Sequence, residues 1–292
     1  MAGVLNMTYL DDGPVTGWPV ILSHGFPFDV HAYDEVVPLL TAQGARVIRP
    51  YLRGFGPTRF RSPDTLRSGQ QAALGADQIA LMDALHLEAA ILAGYDWGGL
   101  SSCVAAALWP GRVTGLVSMS SYDINDIAAL RHTLGPVLEH VVWYQHLFQT
   151  ARGRECLVNQ RRDLCRLLWQ QWCPTWPFDD ATFERSAVAF ENPDFVDVVI
   201  HYYRHQFGLA AGDPAYEALE QRLAERPTIQ VPAVTLDGLR DPLRPGGTAD
   251  QAHMFTARHE HILVDVGHNL PQEAPDAFAE AVLSIRRWVQ PG

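Results

Sequence analysis

An aspartate at the centre of a glycine-rich turn is the side chain in this sequence that is best placed to do chemistry. Asp96 stands in the hexapeptide Gly94-Tyr95-Asp96-Trp97-Gly98-Gly99, between an apolar run of strand type and a run with helical spacing. A strand, a sharp turn and a helix form a nucleophile elbow, in which glycines flank the nucleophile because the turn leaves no room for a Cβ. The middle residue of that motif is usually serine, so this chain presents a carboxylate in place of a hydroxyl.

The carboxylate of Asp96 indicates displacement at a saturated carbon. Backbone dipoles at the start of a helix favour its charged form, and an ionised aspartate is a competent nucleophile. Attack on an ester carbonyl would form a reactive anhydride, whereas attack on an alkyl halide or an epoxide leaves an ordinary alkyl ester on the enzyme. The alternative is a turn aspartate that only caps the following helix. The motif therefore stays a hypothesis until the other catalytic residues that it needs are found in the chain.

An ester on Asp96 needs a base to activate water and a carboxylate to orient that base. Asp241 follows a predicted strand and His268 follows the last one, which gives the chain order nucleophile, acid, histidine. Of the 12 histidines, His268 alone lies in the turn after the last predicted strand. Asp237 and Asp265 also lie at strand ends and compete with Asp241 for the orienting role.

The segment His24-Gly25-Phe26-Pro27 follows a buried predicted strand and is a candidate for an oxyanion hole. The loop after that strand normally supplies the second N–H donor of such an oxyanion hole. The backbone N–H groups of Phe26 and Trp97 would then hold the carbonyl oxygen of Asp96 while water attacks the ester. A plain strand-ending turn is the alternative.

These residues need a sheet to position them, and the hydrophobic pattern predicts one. Strands are predicted for residues 7–10, 18–23, 45–51, 89–93, 113–119, 231–236 and 261–266, and helices for 32–43, 74–87, 100–109 and 274–289. This alternation predicts an α/β fold with a mostly parallel sheet, whose ligands gather at the carboxyl ends of the strands.

Between Tyr122 and about Arg226 strand character is rare. Helices are predicted there for residues 137–148, 153–172, 180–190 and 194–207. We interpret this stretch as an inserted helical cap, with a core of residues 1–121 and 227–292 and a cap of residues 122–226. Four aromatic residues of this stretch are interpreted as packing residues: Trp169, Trp172, Trp176 and Phe178.

Composition excludes several function classes. Hydrophobic residues make up 47% of the 292 residues and charged residues 19%, so a large core is expected. The net charge of −11 argues against nucleic acid or an anionic membrane surface as partner. The four scattered cysteines lack zinc-site spacing and fit a reducing cytoplasm. With no signal peptide or membrane span visible, we expect a soluble cytoplasmic monomer or homodimer without cofactor or metal.

The sequence resembles the epoxide hydrolases of the α/β-hydrolase superfamily. The elbow, the segment around Phe26, the segment Arg53-Gly54-Phe55-Gly56 and the pair Gly267-His268 match that family's pattern in order. In the predicted cap, Tyr144 and Tyr203 lie in segments that look like those around the family's two epoxide-binding tyrosines. The resemblance implies the α/β-hydrolase fold with a cap.

The resemblance also implies a reaction, the hydrolysis of a small apolar epoxide to a vicinal diol. Asp96 would attack a ring carbon while Tyr144 and Tyr203 donate to the ring oxygen. His268, oriented by Asp241, would then activate water against the ester.

Two departures from the family pattern concern the substrate. Phe28 stands where the family often has Glu, which predicts an apolar, substrate-binding pocket wall, and Tyr95 stands where His often precedes the nucleophile.

Dehalogenases are the nearest alternative because they use the same aspartate attack. Trp97 is predicted to line the substrate site, where its indole N–H could hold a halide. One large haloalkane group, however, has Asn at the position of Phe26. Haloacetate enzymes carry Arg around the elbow, where this chain has Trp97 and Leu100. A binding protein that kept this fold and lost turnover is a remote third alternative, although no expected catalytic position is missing.

Overall fold

A seven-stranded sheet lies at the centre of the protein, in a computed structural model that describes residues 1–290. The strands are β1 (Leu5–Asn6), β2 (Tyr9–Asp12), β3 (Trp18–Ser23), β4 (Ala45–Pro50), β5 (Arg59–Phe60), β6 (Ala90–Gly94), β7 (Val113–Met119), β8 (Ala233–Gly238) and β9 (His259–Val264). β1 and β5 form a small antiparallel pair, and the other strands form the large sheet in the order β2-β4-β3-β6-β7-β8-β9. The last two residues of the predicted core segment 227–292 lie outside the described residues.

Within the large sheet β2 runs antiparallel to β4, and the other neighbouring pairs are parallel. The prediction of a mostly parallel sheet is therefore confirmed. β6 lies in the middle, between β3 and β7, and all 5 of its residues are buried, as its apolar sequence predicts. Because parallel strands end at the same edge, the turn that follows β6 lies beside the loops that follow its neighbours.

The helices of the described chain are α1 (Val36–Thr41), α2 (Gln71–Ala84), α3 (Trp97–Leu108), α4 (Pro136–Val141), α5 (Trp143–Leu147), α6 (Ala151–Asn159), α7 (Arg161–Trp172), α8 (Asp180–Ala187), α9 (Phe195–Gln206), α10 (Glu217–Ala224), α11 (Leu270–Glu273) and α12 (Pro275–Val289). α3 and α12 both pack on β7, while α2 packs on α3 and α1 on α12. α4 to α10 lie between β7 and β8, in the stretch predicted to be a helical cap. The boundaries at residues 122 and 226 stay predictions.

Two long helices predicted for this insertion are interrupted in the structure. The predicted helix 137–148 is divided into α4 and α5 at Val142, where φ is −92° and ψ 21°. The predicted helix 153–172 is divided into α6 and α7 at Gln160, where φ is −136° and ψ 28°. Both residues leave the α region, so the chain changes direction there. Hydrophobic spacing does not reveal such a break because apolar residues continue on both sides of it.

The sequence pattern also leaves some elements unpredicted. Half of the eight residues of α10 are polar or charged, and Leu223 is its one buried residue, so the helix buries little apolar surface. β1 and β5 have two residues each, which is too short for an alternating pattern. Within residues 1–290, no helix has the length and apolar character needed to cross a membrane.

Candidate active site

Asp96 lies in a sharp turn between the end of β6 and the start of α3. Its φ of 51° and ψ of −126° form a conformation that residues with a side chain rarely adopt. A Cβ on Gly98 would lie 1.8 Å from the carbonyl oxygen of Ser23, and a Cβ on Gly94 would lie 2.3 Å from the carbonyl carbon of Gly98. The two glycines therefore let α3 begin directly against the ends of β3 and β6, which is the geometry of the predicted elbow.

The loop after β3 contacts the side chain of Asp96. The backbone N–H of Phe26 donates a hydrogen bond of 2.7 Å to Asp96 Oδ1. Gly25 allows this approach, since a Cβ there would lie 2.6 Å from the Cβ of Asp96. One of the two predicted oxyanion donors thus touches the carboxylate. Within residues 1–290 no hydrogen bond joins the Trp97 backbone N–H to Asp96, and that donor stays a prediction.

His268 lies in the loop between β9 and α11, with one ring nitrogen on a carboxylate. Its Nδ1 is 2.8 Å from Asp241 Oδ2, and Asp241 Oδ1 accepts a hydrogen bond of 2.8 Å from the N–H of Leu243. Because an ionised carboxylate can only accept, Nδ1 carries a hydrogen, and Nε2 is the ring nitrogen that faces Asp96. His268 Nε2 lies 3.6 Å from Asp96 Oδ2, a separation slightly longer than a hydrogen bond. A small movement of either side chain would bring the two atoms within hydrogen-bond distance.

The two other strand-end aspartates are engaged elsewhere. Asp237 accepts hydrogen bonds from the backbone N–H of Thr248 at 2.6 Å and from its hydroxyl at 2.8 Å. Asp265 forms an exposed ion pair with Arg240 at 2.6 Å. Of the three candidates for the orienting acid, Asp241 is therefore the one in contact with His268.

Charge coupling joins His268 to both carboxylates. Burial disfavours the charged imidazolium, but the negative charges of Asp241 and Asp96 and the hydrogen bond to Asp241 outweigh it and raise the pKa of His268 to about 10. The imidazole therefore carries a proton at neutral pH while Asp96 is an unmodified carboxylate.

Tyr144 on α5 and Tyr203 on α9 line the same cavity as Asp96. Their ring centroids are 5.4 Å apart and their planes nearly perpendicular. The side-chain N–H of Gln145 donates to the Tyr144 hydroxyl at 2.9 Å. Burial raises the pKa of both phenols above the ordinary value, so both hydroxyls keep their protons and can donate them.

The cavity has a volume of about 370 Å³ and lies between the carboxyl ends of the strands and the helical insertion. Asp96, Trp97 and His268 contribute to its lining, and so do two side chains that the sequence analysis did not single out, Asp123 and Arg244. Their positions carry a weak signal: Asp123 follows β7 at the sheet edge where ligands gather, and Arg244 follows Asp241 by three residues.

Phe28 does not line this cavity, so its prediction as a pocket wall is wrong. The side chain has no exposed surface and stacks on Trp169 with ring centroids 4.5 Å apart. It also packs edge-on against Tyr95 at 5.5 Å. The chain turns inward after Phe26, so an apolar residue two positions later enters the core behind the site.

Helix α7 of the helical insertion is hydrogen-bonded to the two loops that carry Phe26 and His268. The indole N–H of Trp169 donates to the carbonyl of Pro27 at 2.7 Å, and the backbone N–H of His268 donates to the carbonyl of Trp172 at 3.0 Å. Trp169 and Trp172 are fully buried, as expected for packing residues. The same role fits the two neighbouring aromatics, Trp176 and Phe178, whose rings lie 5.5 and 5.2 Å from that of Trp169.

Comparison with known proteins agrees with this architecture. Residues 19–177 match the alpha/beta hydrolase fold family. A haloalkane dehalogenase of Mycolicibacterium paratuberculosis is 27% identical over 98% of this chain and 88% of its own. Epoxide hydrolase A of Mycobacterium tuberculosis is 24% identical over 91% of this chain and 89% of its own.

A solved structure shares more of the sequence. The crystal structure of a proposed epoxide hydrolase from Klebsiella pneumoniae subsp. pneumoniae MGH 78578 superposes with a TM-score of 0.96 and 45% identity. The match covers 98% of this chain and 96% of that one. The predicted fold class is thereby confirmed. The protein is a hydrolase and belongs to the alpha/beta hydrolase fold family.

Proposed function

We propose that the protein hydrolyses an epoxide to a vicinal diol through an alkyl ester on Asp96. The observation that carries this proposal is the position of Tyr144 and Tyr203, which line the same cavity as Asp96. An epoxide oxygen leaves as an alkoxide, which is strongly basic and must be stabilised or protonated as the ring opens. A halide is a weak base and needs only a shallow cradle of N–H donors.

In the first step an oxygen of Asp96 attacks a ring carbon, and the bond between that carbon and the ring oxygen breaks. The electron pair stays on the ring oxygen, which takes a proton from Tyr144 or Tyr203. The hydrogen bond from the Phe26 N–H orients the carboxylate during attack. The product of this step is a hydroxyalkyl ester of Asp96.

In the second step His268 removes a proton from water, which attacks the ester carbonyl. Formation of the ester removes the negative charge of Asp96, one of the groups that raise the pKa of His268. The pKa of His268 therefore falls, and the imidazolium gives up its proton, which restores the phenolate left by ring opening to a phenol. The neutral imidazole can then act as a base. Asp241 keeps Nδ1 protonated and stabilises the imidazolium that forms. The N–H of Phe26 holds the developing oxyanion. When this intermediate collapses, the bond between the carbonyl carbon and the diol oxygen breaks, and the imidazolium protonates the departing oxygen. The carboxyl group of Asp96 then returns its proton to His268, which restores the starting state.

The names of the relatives support a hydrolase reaction but do not decide between an epoxide and a haloalkane substrate. Epoxide hydrolase A of Mycobacterium tuberculosis and the Klebsiella protein carry the epoxide name, while the Mycolicibacterium relative is a haloalkane dehalogenase.

Dehalogenation is the second candidate function, and one observation favours it. The indole Nε1 of Trp97 is buried and has no hydrogen-bond partner in the described part of the chain. An unpaired N–H next to the nucleophile can hold a leaving halide. Two phenol donors would have no role in that reaction, so we place epoxide hydrolysis first.

A trapped intermediate tests the proposal and separates the two reactions. His268→Gln is expected to be alkylated by substrate and to release no product, because no base activates water. Intact-mass spectrometry should show a gain of the whole mass of an epoxide, whereas a haloalkane would add its mass less that of the hydrogen halide. Peptide mapping should place the gain on Asp96.

The double variant Asp96→Asn/His268→Gln is the matched control and should stay at its own mass. Absence of an adduct in His268→Gln, with an epoxide that the wild type turns over, would contradict the two-step mechanism.

A further inference from the structure

One wall of the cavity contains an ion pair that the proposed reaction does not use. Nη2 of Arg244 donates to Asp123 Oδ1 at 3.2 Å, and both residues line the cavity together with Asp96. The Asp123 side chain is nearly buried, whereas 46% of the Arg244 side-chain surface is exposed. A guanidinium has five N–H donors, so Arg244 has donors to spare for a ligand in the cavity.

The position of Arg244 is set by the loop after β8, which also carries Asp241, the partner of His268. Asp241 accepts the N–H of Leu243 on its side chain, and its backbone carbonyl accepts the N–H of Arg244 at 3.3 Å. The same turn thus directs one side chain to His268 and another into the cavity.

Other parts of the cavity lining are apolar. Leu130, Leu134, Leu138 and Val142 contribute there, all from the stretch that begins the helical insertion. A ligand that fits both surfaces has an apolar portion and a polar group.

The charges around the ion pair restrict what that polar group can be. A cation is disfavoured by Arg244 itself. An anion is disfavoured because Asp96, Asp123 and Asp250 line the same cavity. A neutral group that both donates and accepts matches a guanidinium beside a carboxyl. Burial raises the pKa of Asp123 to about 7, so near neutral pH this carboxyl can accept a hydrogen bond or donate one.

We propose that the substrate is an epoxide that carries a hydroxyl group, which binds between Arg244 and Asp123 while the ring lies at Asp96. This inference rests on the proposed epoxide hydrolysis and names its substrate class. The hydroxyl oxygen accepts from the guanidinium, and the hydroxyl hydrogen is donated to the carboxylate. The carbon chain between the two polar ends packs on the leucines of the insertion.

Steady-state kinetics on three matched series tests the proposal. The series are 1,2-epoxyalkanes of three to eight carbons, the same epoxides with a terminal hydroxyl, and the same epoxides with a terminal carboxylate. At the best chain length, kcat/KM for the hydroxyl series should exceed that for the plain series by about 10- to 100-fold, the effect of a hydrogen bond to a charged group.

Arg244→Met should reduce that ratio to about one; because the ratio compares two substrates in the same variant, it does not depend on a general change in turnover. The double variant Arg244→Met/Asp123→Asn should behave in the same way and leaves no unpaired buried charge if the single variant folds poorly. Arg240→Met is the matched control, because Arg240 lies in the same loop but pairs with Asp265 on the surface. It should keep the wild-type ratio.

The outcomes separate this inference from the proposed function. If the wild type turns over plain epoxides with no advantage for the hydroxyl series, the substrate assignment is wrong and epoxide hydrolysis stands. If the carboxylate series is preferred and loses its preference in Arg244→Met, the site binds anions and the hydroxyl assignment is wrong. If no epoxide of any series is hydrolysed, the proposed function itself fails.

Discussion

The core and the helical insertion hold their parts of the candidate active site by different means. In the core, Asp96, Asp241 and His268 lie on loops that directly follow parallel strands, and short hydrogen bonds fix their polar atoms. In the insertion, Tyr144 and Tyr203 lie on helices and are surrounded by rings. The ring of Tyr203, for example, has five aromatic neighbours whose ring centroids lie between 4.9 and 6.0 Å from its own: Phe26, Trp97, Tyr144, Phe148 and Tyr202.

Because of this difference, the removal of a polar atom has different consequences in the two regions. A core residue is oriented by the same polar atoms that do its chemistry, so any change to those atoms also changes its orientation. A tyrosine of the insertion is oriented by its ring, and its hydroxyl can be removed with the ring left in place. Chemistry and packing can therefore be tested separately in the insertion but not in the core.

The largest effect is expected in the core. Asp241→Asn should lower kcat by about 10⁴-fold, because an amide that donates to Nδ1 selects the wrong tautomer of His268. The measurement is single-turnover release of diol by the variant. Asp237→Asn is the control: it loses hydrogen bonds to Thr248 and should lower thermal stability with a far smaller effect on kcat. Equal loss of kcat in both variants would contradict the assignment of Asp241.

The insertion gives the next largest effect. Tyr144→Phe and Tyr203→Phe should each slow ring opening by about 10² to 10³, the usual cost of losing one donor to a developing oxyanion. Their melting temperatures should stay close to that of the wild type, since the rings remain. Stopped-flow measurement of alkylation gives the rate directly.

Tyr202→Phe is the matched control for the insertion, because Tyr202 also lines the cavity and its tilted ring packs on Trp97 with ring centroids 4.2 Å apart. It should keep near-normal alkylation. A slow Tyr202→Phe beside a normal Tyr203→Phe would move the donor role to the neighbouring tyrosine.

The smallest effect is expected where the two regions meet, at Phe28. Phe28→Leu should lower the free energy of unfolding by about 1 kcal/mol, because a ring stacked on Trp169 is replaced by a smaller apolar side chain. Urea titration measures that loss, and substrate preference should not change. An altered chain-length preference in this variant would mean that Phe28 contacts substrate after all.

The core could be predicted from the sequence because its geometry follows local rules. Glycines around Asp96 report a turn without space for a Cβ, and the chain order of Asp96, Asp241 and His268 places all three at the carboxyl ends of parallel strands. These rules depend on neighbours in sequence or on the edge of one sheet, so periodicity and order are enough to apply them.

The rest depends on tertiary packing, which periodicity does not record. The breaks at Val142 and Gln160 interrupt helices whose apolar spacing continues. Phe28 has the composition of a pocket wall, yet the turn of its loop directs it into the core. Asp123 and Arg244 meet across 121 positions of sequence, and no local pattern links them.

The attachment of α7 has a consequence for how enzymes of this design evolve. A substitution that moves α7 also moves the loops of Phe26 and His268, so selection for turnover acts against it. Among the described residues, no hydrogen bond joins the stretch 126–141 to either loop, although this stretch supplies several cavity leucines. Exchange of side chains there leaves the hydrogen bonds of both loops in place. Lineages can therefore acquire new substrates through this stretch while inheriting one unchanged chemistry.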